Sequence, residues 1–203
     1  MGCLKNILRA ILLTLAIVGF LSLGGKELVT GLVNNYFNPS KDTMLERAQK
    51  VGDFSHINDE FEIEKAAGIM GYNAVVAEHK ASGQKMLIVD SGKKPLLTPE
   101  DIKGQEVETK LKDLSEKFKY QAITVQDIKV TSRGTMKVYG KQVPYAKFDA
   151  HVTKLPFSDI SGVVASVKTS DGSEKLALSL SEKKKYSQLI TNEFYRGVQE
   201  VSN

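Results

Sequence analysis

The stretch ISGVVASVKTSDGSEKLALSL, residues 160–180, decides the fold of this chain. It holds two β-forming runs, Ile160–Thr169 and Lys175–Leu180, separated by Asp171-Gly172. Because Asp-Gly between two such runs favours a tight turn, the stretch predicts an antiparallel hairpin. Just upstream, in the run AKFDAHV at 146–152, apolar residues alternate with Lys, Asp and His, which predicts a strand with one buried face.

Further strands are predicted earlier in the chain. Residues 72–78 and 85–89 are β-forming runs on either side of Ser82-Gly83, again a hairpin pattern. The alternation that begins at Ala122 shifts phase at Asp127, which predicts a β-bulge, and Arg133-Gly134 predicts a turn.

Helical spacing occurs in three places: residues 40–52, 98–118 and 186–198. Strands joined by tight turns are antiparallel, and amphipathic helices need an apolar face to cover. The predicted fold class is therefore α+β: an N-terminal membrane helix, then one domain with a twisted antiparallel sheet of about six or seven strands, covered by helices on one face.

The N-terminus differs from the rest of the chain. Lys5 and Arg9 precede a run from Ala10 to Gly25 without a charged residue, and a basic flank before an apolar run is typical of a signal peptide or a signal anchor. As a helix this run spans about 24 Å, slightly less than a hydrocarbon core of about 30 Å. The residues expected to form the anchor are Lys5, Arg9, Leu12, Leu13, Ile17, Val18, Phe20, Leu21, Tyr36 and Phe37.

Two fates of this segment are open. Ser22 and Gly24 are small residues suited to cleavage after Gly24, which would release a secreted protein. An apolar stripe at helical spacing nevertheless continues to Tyr36 and Phe37, which favours an uncleaved anchor with an interfacial extension. By the positive-inside rule we expect a single-pass protein of the cell membrane, with a cytoplasmic N-terminus and an extracytoplasmic domain.

The chain is thus divided into three parts. Residues 1–38 form the membrane helix with its amphipathic extension, residues 39–60 a short helix and linker, and residues 61–203 the extracytoplasmic α+β domain. The formal net charge of +4 includes Lys5 and Arg9, so the remainder is almost neutral. This charge excludes a strongly basic nucleic-acid binder, and no nucleic-acid partner is expected.

The sequence contains no recognisable catalytic or metal-binding motif. Its single cysteine, Cys3, precedes the apolar run, so thiol and zinc-cysteine chemistry is not expected in the domain. The three histidines, His56, His79 and His151, are scattered, and His151 is expected to face solvent. Neither a G-x-S-x-G elbow nor a Walker A loop occurs. No catalytic residue, cofactor or metal is therefore predicted.

Lys183, Lys184 and Lys185 form the strongest run of charge. A solvated surface accounts for most such runs, and the functional alternative is a patch that meets anionic lipid headgroups or wall polymers. Acid pairs such as Glu62 and Glu64 are interpreted as exposed positions on a strand.

From Gly140 to Val198 the order of elements is turn, strand, strand, Asp171-Gly172 hairpin and a helix carrying Tyr186, Leu189, Ile190 and Phe194. This order resembles the closing half of PsbP-like domains, which are α+β modules with a central antiparallel sheet. The resemblance implies a secreted or thylakoid-lumenal accessory protein, and it transfers no binding residue.

Three functions follow as expectations. The first is a non-catalytic, membrane-anchored accessory or binding module, whose partners are the lipid bilayer and an unidentified protein or envelope component. The second is an envelope hydrolase with an acid/His site, and the third is a secreted protein released after Gly24.

Overall fold

The structure, a computed structural model, describes residues 41–69, 72–92, 95–117, 125–153 and 159–201. Four helices and seven strands lie in these ranges. They are α1 (Lys41–Gln49), β1 (Phe61–Ile69), β2 (Tyr72–His79), β3 (Lys85–Asp90), α2 (Pro99–Lys103), α3 (Val107–Lys117), β4 (Val125–Val138), β5 (Lys141–Val152), β6 (Asp159–Lys168), β7 (Glu174–Glu182) and α4 (Gln188–Gly197).

The strands form one antiparallel sheet in the order β1-β2-β3-β7-β6-β5-β4. Every neighbouring pair is antiparallel, so the prediction of an α+β domain with a sheet of six or seven antiparallel strands is confirmed. The β6–β7 hairpin turns at Asp171-Gly172, where Gly172 has a φ of +81° that a side chain would strain. Hydrogen bonds from the Ser173 amide and the Thr169 hydroxyl lower the pKa of Asp171 to about 2, which keeps this turn carboxylate ionised.

Strand β4 confirms one prediction and corrects another. Asp127 has a φ of +51°, and the β4–β5 register shifts between Gln126 and Lys129, so the predicted bulge is present. Arg133-Gly134, however, is not a turn, because β4 runs through it. Gly134 pairs with Tyr145 on β5, and a Cβ at Gly134 would lie 2.8 Å from the Tyr145 hydroxyl oxygen. The absence of a side chain at Gly134 lets the Tyr145 ring pack directly against the backbone of β4.

Helices cover both faces of the sheet, so the prediction of cover on one face was wrong. On one face, here called the α1/α4 face, Val163 of β6 packs in a cluster with Ala48 of α1 and Phe194 of α4. On the opposite α2/α3 face, Val164 packs with Ile102 of α2, and Val107 at the start of α3 belongs to the same cluster. Successive strand residues point to opposite faces, and a strand buried on both faces loses the polar alternation of a half-buried strand.

A buried polar network fixes the start of α4 to the sheet. The Gln84 side-chain amide nitrogen donates to the Ser179 hydroxyl at 2.9 Å, the Ser187 carbonyl at 3.0 Å and the Thr191 hydroxyl at 2.8 Å. Its amide oxygen accepts a bond of 2.8 Å from the Ser187 backbone N–H. Gln84, Ser179 and Thr191 are each fully buried. The end of the β2–β3 hairpin is thereby tied to the first turn of α4.

Candidate functional site

A row of polar side chains, here called the polar face, crosses β5 and β6 on the α1/α4 face of the sheet. The register pairs His151 with Asp159 and Asp149 with Ser161. His151 Nδ1 lies 3.1 Å from an Asp159 oxygen, and the Ser161 hydroxyl donates to Asp149. The His151 side chain is 41% exposed, as its alternation with Ala150 and Val152 predicted. His151 and Asp159 form the exposed end of the polar face, whereas Ser161 is buried and Asp149 is half-buried.

The lysine run reaches this face. It lies in the turn between β7 and α4, where Lys183 forms an ion pair of 2.8 Å with Asp149 and Lys185 pairs with Glu182 at 2.9 Å. Burial tends to raise the pKa of Asp149, but hydrogen bonds from Lys183 and Ser161 hold that pKa below its usual range. Two of the three lysines are therefore compensated by carboxylates within the protein. The anionic-surface patch stays a prediction that depends most on Lys184.

A second cluster joins β1, β2 and β3. Lys85 donates to Glu64 at 2.8 Å and to Glu78, and the three side chains are only 16%, 23% and 28% exposed, respectively. Burial and the neighbouring Glu78 raise the pKa of Glu64. Burial tends to raise the pKa of Glu78 too, but hydrogen bonds from Glu64 and Lys85 lower it. Carboxyl groups whose pKa values are pushed apart suit acid and base roles.

An open cleft lies between α4 and the β4–β5 hairpin. It offers about 300 Å³, at the lower end of the size range of ligand sites. Its lining comprises Thr135, Met136, Lys137, Gln142, Asn192 and Arg196. Arg196 contributes an exposed cation from α4, whereas Lys137 alternates on β4 with the buried Met136 and Val138 and so lies on the face of the strand opposite α4.

The remaining histidines do not join these clusters. His79 packs its ring against Phe61, with 5.3 Å between ring centres, and its Nδ1 lies 2.9 Å from the Ser82 hydroxyl. His56 is exposed in the loop before β1. Within the described residues, no three His, Cys, Asp or Glu side chains stand close enough together to hold a metal ion.

The chain that enters the domain is fastened to the sheet. The Val51 carbonyl, just after α1, accepts hydrogen bonds of 2.7 Å from the Lys175 ammonium and from the Tyr139 hydroxyl. Lys175 is only 7% exposed, and its ammonium stands 5.1 Å from the centre of the Tyr139 ring. Two backbone hydrogen bonds then join Asp53 to Gln199. Four hydrogen bonds therefore hold residues 51–53 in one position on the domain.

The predicted membrane anchor, residues 1–38, lies outside the described residues, and so do its ten named side chains. In the ranges that the structure does describe, no helix combines the length and apolar composition needed to cross a membrane.

Sequence reasoning missed the Glu64–Glu78–Lys85 cluster, because it treated Glu64 as an exposed strand position. The Ser82-Gly83 turn could have indicated that Glu78 and Lys85 face each other, as the register shows. The position of Glu64 depends on a register shift between Ile63 and Lys65, which no local pattern marks. The cleft joins elements that are distant in the sequence, so no local signal indicates it.

Neither the family models nor the curated proteins contain a match to this chain. The fold itself defines the class of protein: an α+β domain with a seven-stranded antiparallel sheet that helices cover on both faces. The resemblance of residues 140–198 to PsbP-like domains stays a prediction.

Proposed function

We propose that this protein is a non-catalytic accessory or binding module, anchored in the cell membrane by its N-terminal helix, with the α+β domain outside the cytoplasm. The apolar run from Ala10 to Gly25 and its basic flank support the anchor and its orientation. An accessory role also agrees with the resemblance to PsbP-like domains.

The observation that carries the proposal is the fastening of residues 51–53. Only Pro39 and Ser40 separate the predicted anchor from α1, and α1 buries Ala48 against the sheet. The Val51 carbonyl then accepts hydrogen bonds from Lys175 and Tyr139. Helix α1 and residues 51–53 therefore belong to the folded domain, and the proposed tether between anchor and α1 is two residues of sequence, Pro39 and Ser40. His151 and Asp159 on the polar face, and Arg196 at the cleft, offer exposed polar groups to a partner outside the cytoplasm.

Fractionation and intact mass of the mature protein test the anchor. We expect the full-length mass, with residues 1–24 retained, in a membrane fraction that resists carbonate extraction. A variant with Leu12→Lys and Ile17→Lys, which places charge in the apolar run, is expected to lose membrane retention because charge near the bilayer centre is costly. A matched variant with Lys112→Gln and Lys129→Gln, both exposed on the domain and outside the lysine run, is expected to stay in the membrane.

A soluble mature protein that begins at Gly25 would contradict the anchor and support the secreted alternative. Retention of the wild type and of the Leu12→Lys/Ile17→Lys variant to the same extent would contradict an anchor that consists of this run.

An envelope hydrolase is the second candidate, because the pKa values of Glu64 and Glu78 are shifted in opposite directions. Cleavage of cell-wall glycan by the purified chain would identify it, provided that Glu64→Gln abolishes cleavage and Glu62→Gln, at the exposed neighbouring acid, does not. No cleavage by the wild-type chain would reject this candidate.

A further inference from the structure

Both ring nitrogens of His79, at the end of β2, contact side chains that the proposed function does not use. Its Nδ1 lies 2.9 Å from the Ser82 hydroxyl oxygen, in the β2–β3 turn. Its Nε2 lies 3.5 Å from a carboxylate oxygen of Glu60, in the loop before β1. A hydroxyl, an imidazole and a carboxylate in this order have the arrangement of a nucleophile, its base and the group that orients the base.

The hydrogen bonds around the His79 ring assign its tautomer. The Ser82 backbone N–H donates to Nδ1 at 3.3 Å, so Nδ1 carries a lone pair and Nε2 carries the proton. The Nε2–H group is then the one beside the Glu60 carboxylate, and Nδ1 is the atom that can take the proton of the Ser82 hydroxyl. A neutral imidazole in this tautomer is the form that a general base requires.

Both the ring and the carboxylate-bearing residue are held in place. His79 is only 8% exposed, and its ring packs against Phe61 with 5.3 Å between the ring centres. The Lys80 backbone N–H donates to the Glu60 carbonyl at 2.9 Å, which joins the loop before β1 to the hairpin. Ser82 is half-buried at the turn, so the base is shielded while the hydroxyl stays within reach of a small reagent.

The backbone N–H groups of the turn restrict what Ser82 can react with. Serine hydrolases stabilise the oxyanion of the reaction with backbone N–H groups, among them that of the nucleophile, and loss of one such donor costs about 10²–10³ in rate. Here the Ser82 N–H donates to His79 Nδ1, and the Gly83 N–H donates to the His79 carbonyl at 2.9 Å. Ser82 is therefore suited to esters with a good leaving group, and an acyl group on Ser82 is expected to be hydrolysed slowly.

We infer that Ser82 is an acylation site, which accepts an acyl group from an activated ester with His79 as the general base and Glu60 as a positioning residue. The Ser82 Oγ attacks the acyl carbon while its proton passes to His79 Nδ1. The bond from the acyl carbon to the leaving oxygen then breaks, and the leaving group takes the proton from Nδ1 and departs as an alcohol. The inference goes beyond the proposed binding function and agrees with a non-catalytic module, because an acyl acceptor is consumed by one reaction.

Acetylation of the full chain in neutral detergent micelles by 4-nitrophenyl acetate tests the site. Trypsin cuts after Lys80 and Lys85, and Ser82 carries the only hydroxyl in the peptide 81–85. We expect one acetyl group there that hydroxylamine removes, since hydroxylamine cleaves esters and leaves acetylated lysines intact. Ser82→Ala is expected to abolish this ester, and His79→Gln to slow its formation about a hundredfold, because a general base contributes about 10²–10⁴ in rate.

Ser170→Ala is the matched control. Ser170 is exposed in the β6–β7 turn, and its hydroxyl donates to the Glu200 carboxylate rather than to an imidazole. We expect this variant to form the Ser82 ester at the wild-type rate, and Ser170 in the wild type to stay unmodified.

The role of Glu60 is tested by a pair of variants. Glu60→Ala is expected to slow acetylation several-fold at an unchanged melting temperature, and Glu60→Gln, which keeps an acceptor beside Nε2, is expected to restore the rate.

Equal rates of ester formation at Ser82 and Ser170 in the wild type would overturn the site, and so would an unchanged rate in a folded His79→Gln protein. The comparison of the two serines needs no substitution, so it decides the matter even where His79→Gln fails to fold. Because the reaction is run in micelles, its failure would leave the anchor and topology standing.

Discussion

Replacing Gln84 by alanine is expected to lower the free energy of unfolding by about 3 kcal/mol, since a lost buried hydrogen bond that leaves its partner unsatisfied costs about 1–3 kcal/mol. The Gln84 side chain contacts Ser179, Ser187 and Thr191, all within 3.0 Å. Its removal leaves the Ser187 N–H without this acceptor. Chemical denaturation of the full chain in micelles, followed by tyrosine fluorescence, measures the change.

Gln105→Ala is the matched control, because Gln105 is exposed in the turn between α2 and α3. It is expected to change stability by less than about 0.5 kcal/mol. If Gln84→Ala were as stable as Gln105→Ala, the network would not be what fixes α4 to the β2–β3 hairpin.

Gly162→Ala is expected to destabilise the fold by about 2–3 kcal/mol, because its Cβ has no space. That atom would lie 2.6 Å from the Ser179 carbonyl oxygen, 2.6 Å from Leu180 Cδ2 and 2.9 Å from Phe148 Cζ. Leu180 can rotate away, but the Ser179 carbonyl belongs to the neighbouring strand β7 and cannot. In an uncrowded strand the same change would stabilise by about 0.5–1 kcal/mol, so the sign of the effect is decisive.

Gly104→Ala provides the comparison for Gly162. Gly104 has an ordinary φ of −67°, and its Cβ would lie 3.3 Å from the nearest oxygen, that of Glu100. We expect it to lower stability by less than about 1 kcal/mol. Urea midpoints of the two variants give the comparison, and a Gly162→Ala protein at least as stable as the wild type would contradict the packing of β6 against β5 and β7.

Local patterns in the sequence predicted those parts of the fold that local physics determines. The Asp171-Gly172 hairpin and the bulge at Asp127 depend on a few neighbouring residues, and both are present. The prediction of a turn at Arg133-Gly134 was wrong. The ring of Tyr145, eleven positions after Gly134, occupies the space that a side chain at Gly134 would need. A glycine within a β-forming run can indicate either a turn or a strand position that another group approaches closely. The two cases differ in the partner strand, which the local sequence does not show.

The cover of the sheet could have been predicted from β6 itself. Val163, Val164 and Ala165 are consecutive and each 0% exposed, which requires cover on both faces. A run without polar alternation is typical of a strand that is buried on both faces, so this feature of the fold has a local signal in the sequence.

Of the polar face, the sequence predicted only that the His151 side chain faces solvent. The alternation along β5 indicated that His151 faces solvent, but it could not name Asp159 or Ser161 as partners. Those contacts depend on the register of β5 with β6, across a connection that carries no short-turn pattern. Lys183 reaches Asp149 through the path of the turn after β7, which is likewise a property of the whole fold.

The topology of the membrane-anchored module is tested most directly by labelling with a membrane-impermeant maleimide, because Cys3 is the single cysteine of the chain. In intact spheroplasts we expect no labelling of Cys3 until detergent is added. In a Cys3→Ser background, Lys184→Cys, at an exposed turn of the domain, is expected to label without detergent. Labelling of Cys3 from outside, or protection of Lys184→Cys until lysis, would contradict the proposed orientation.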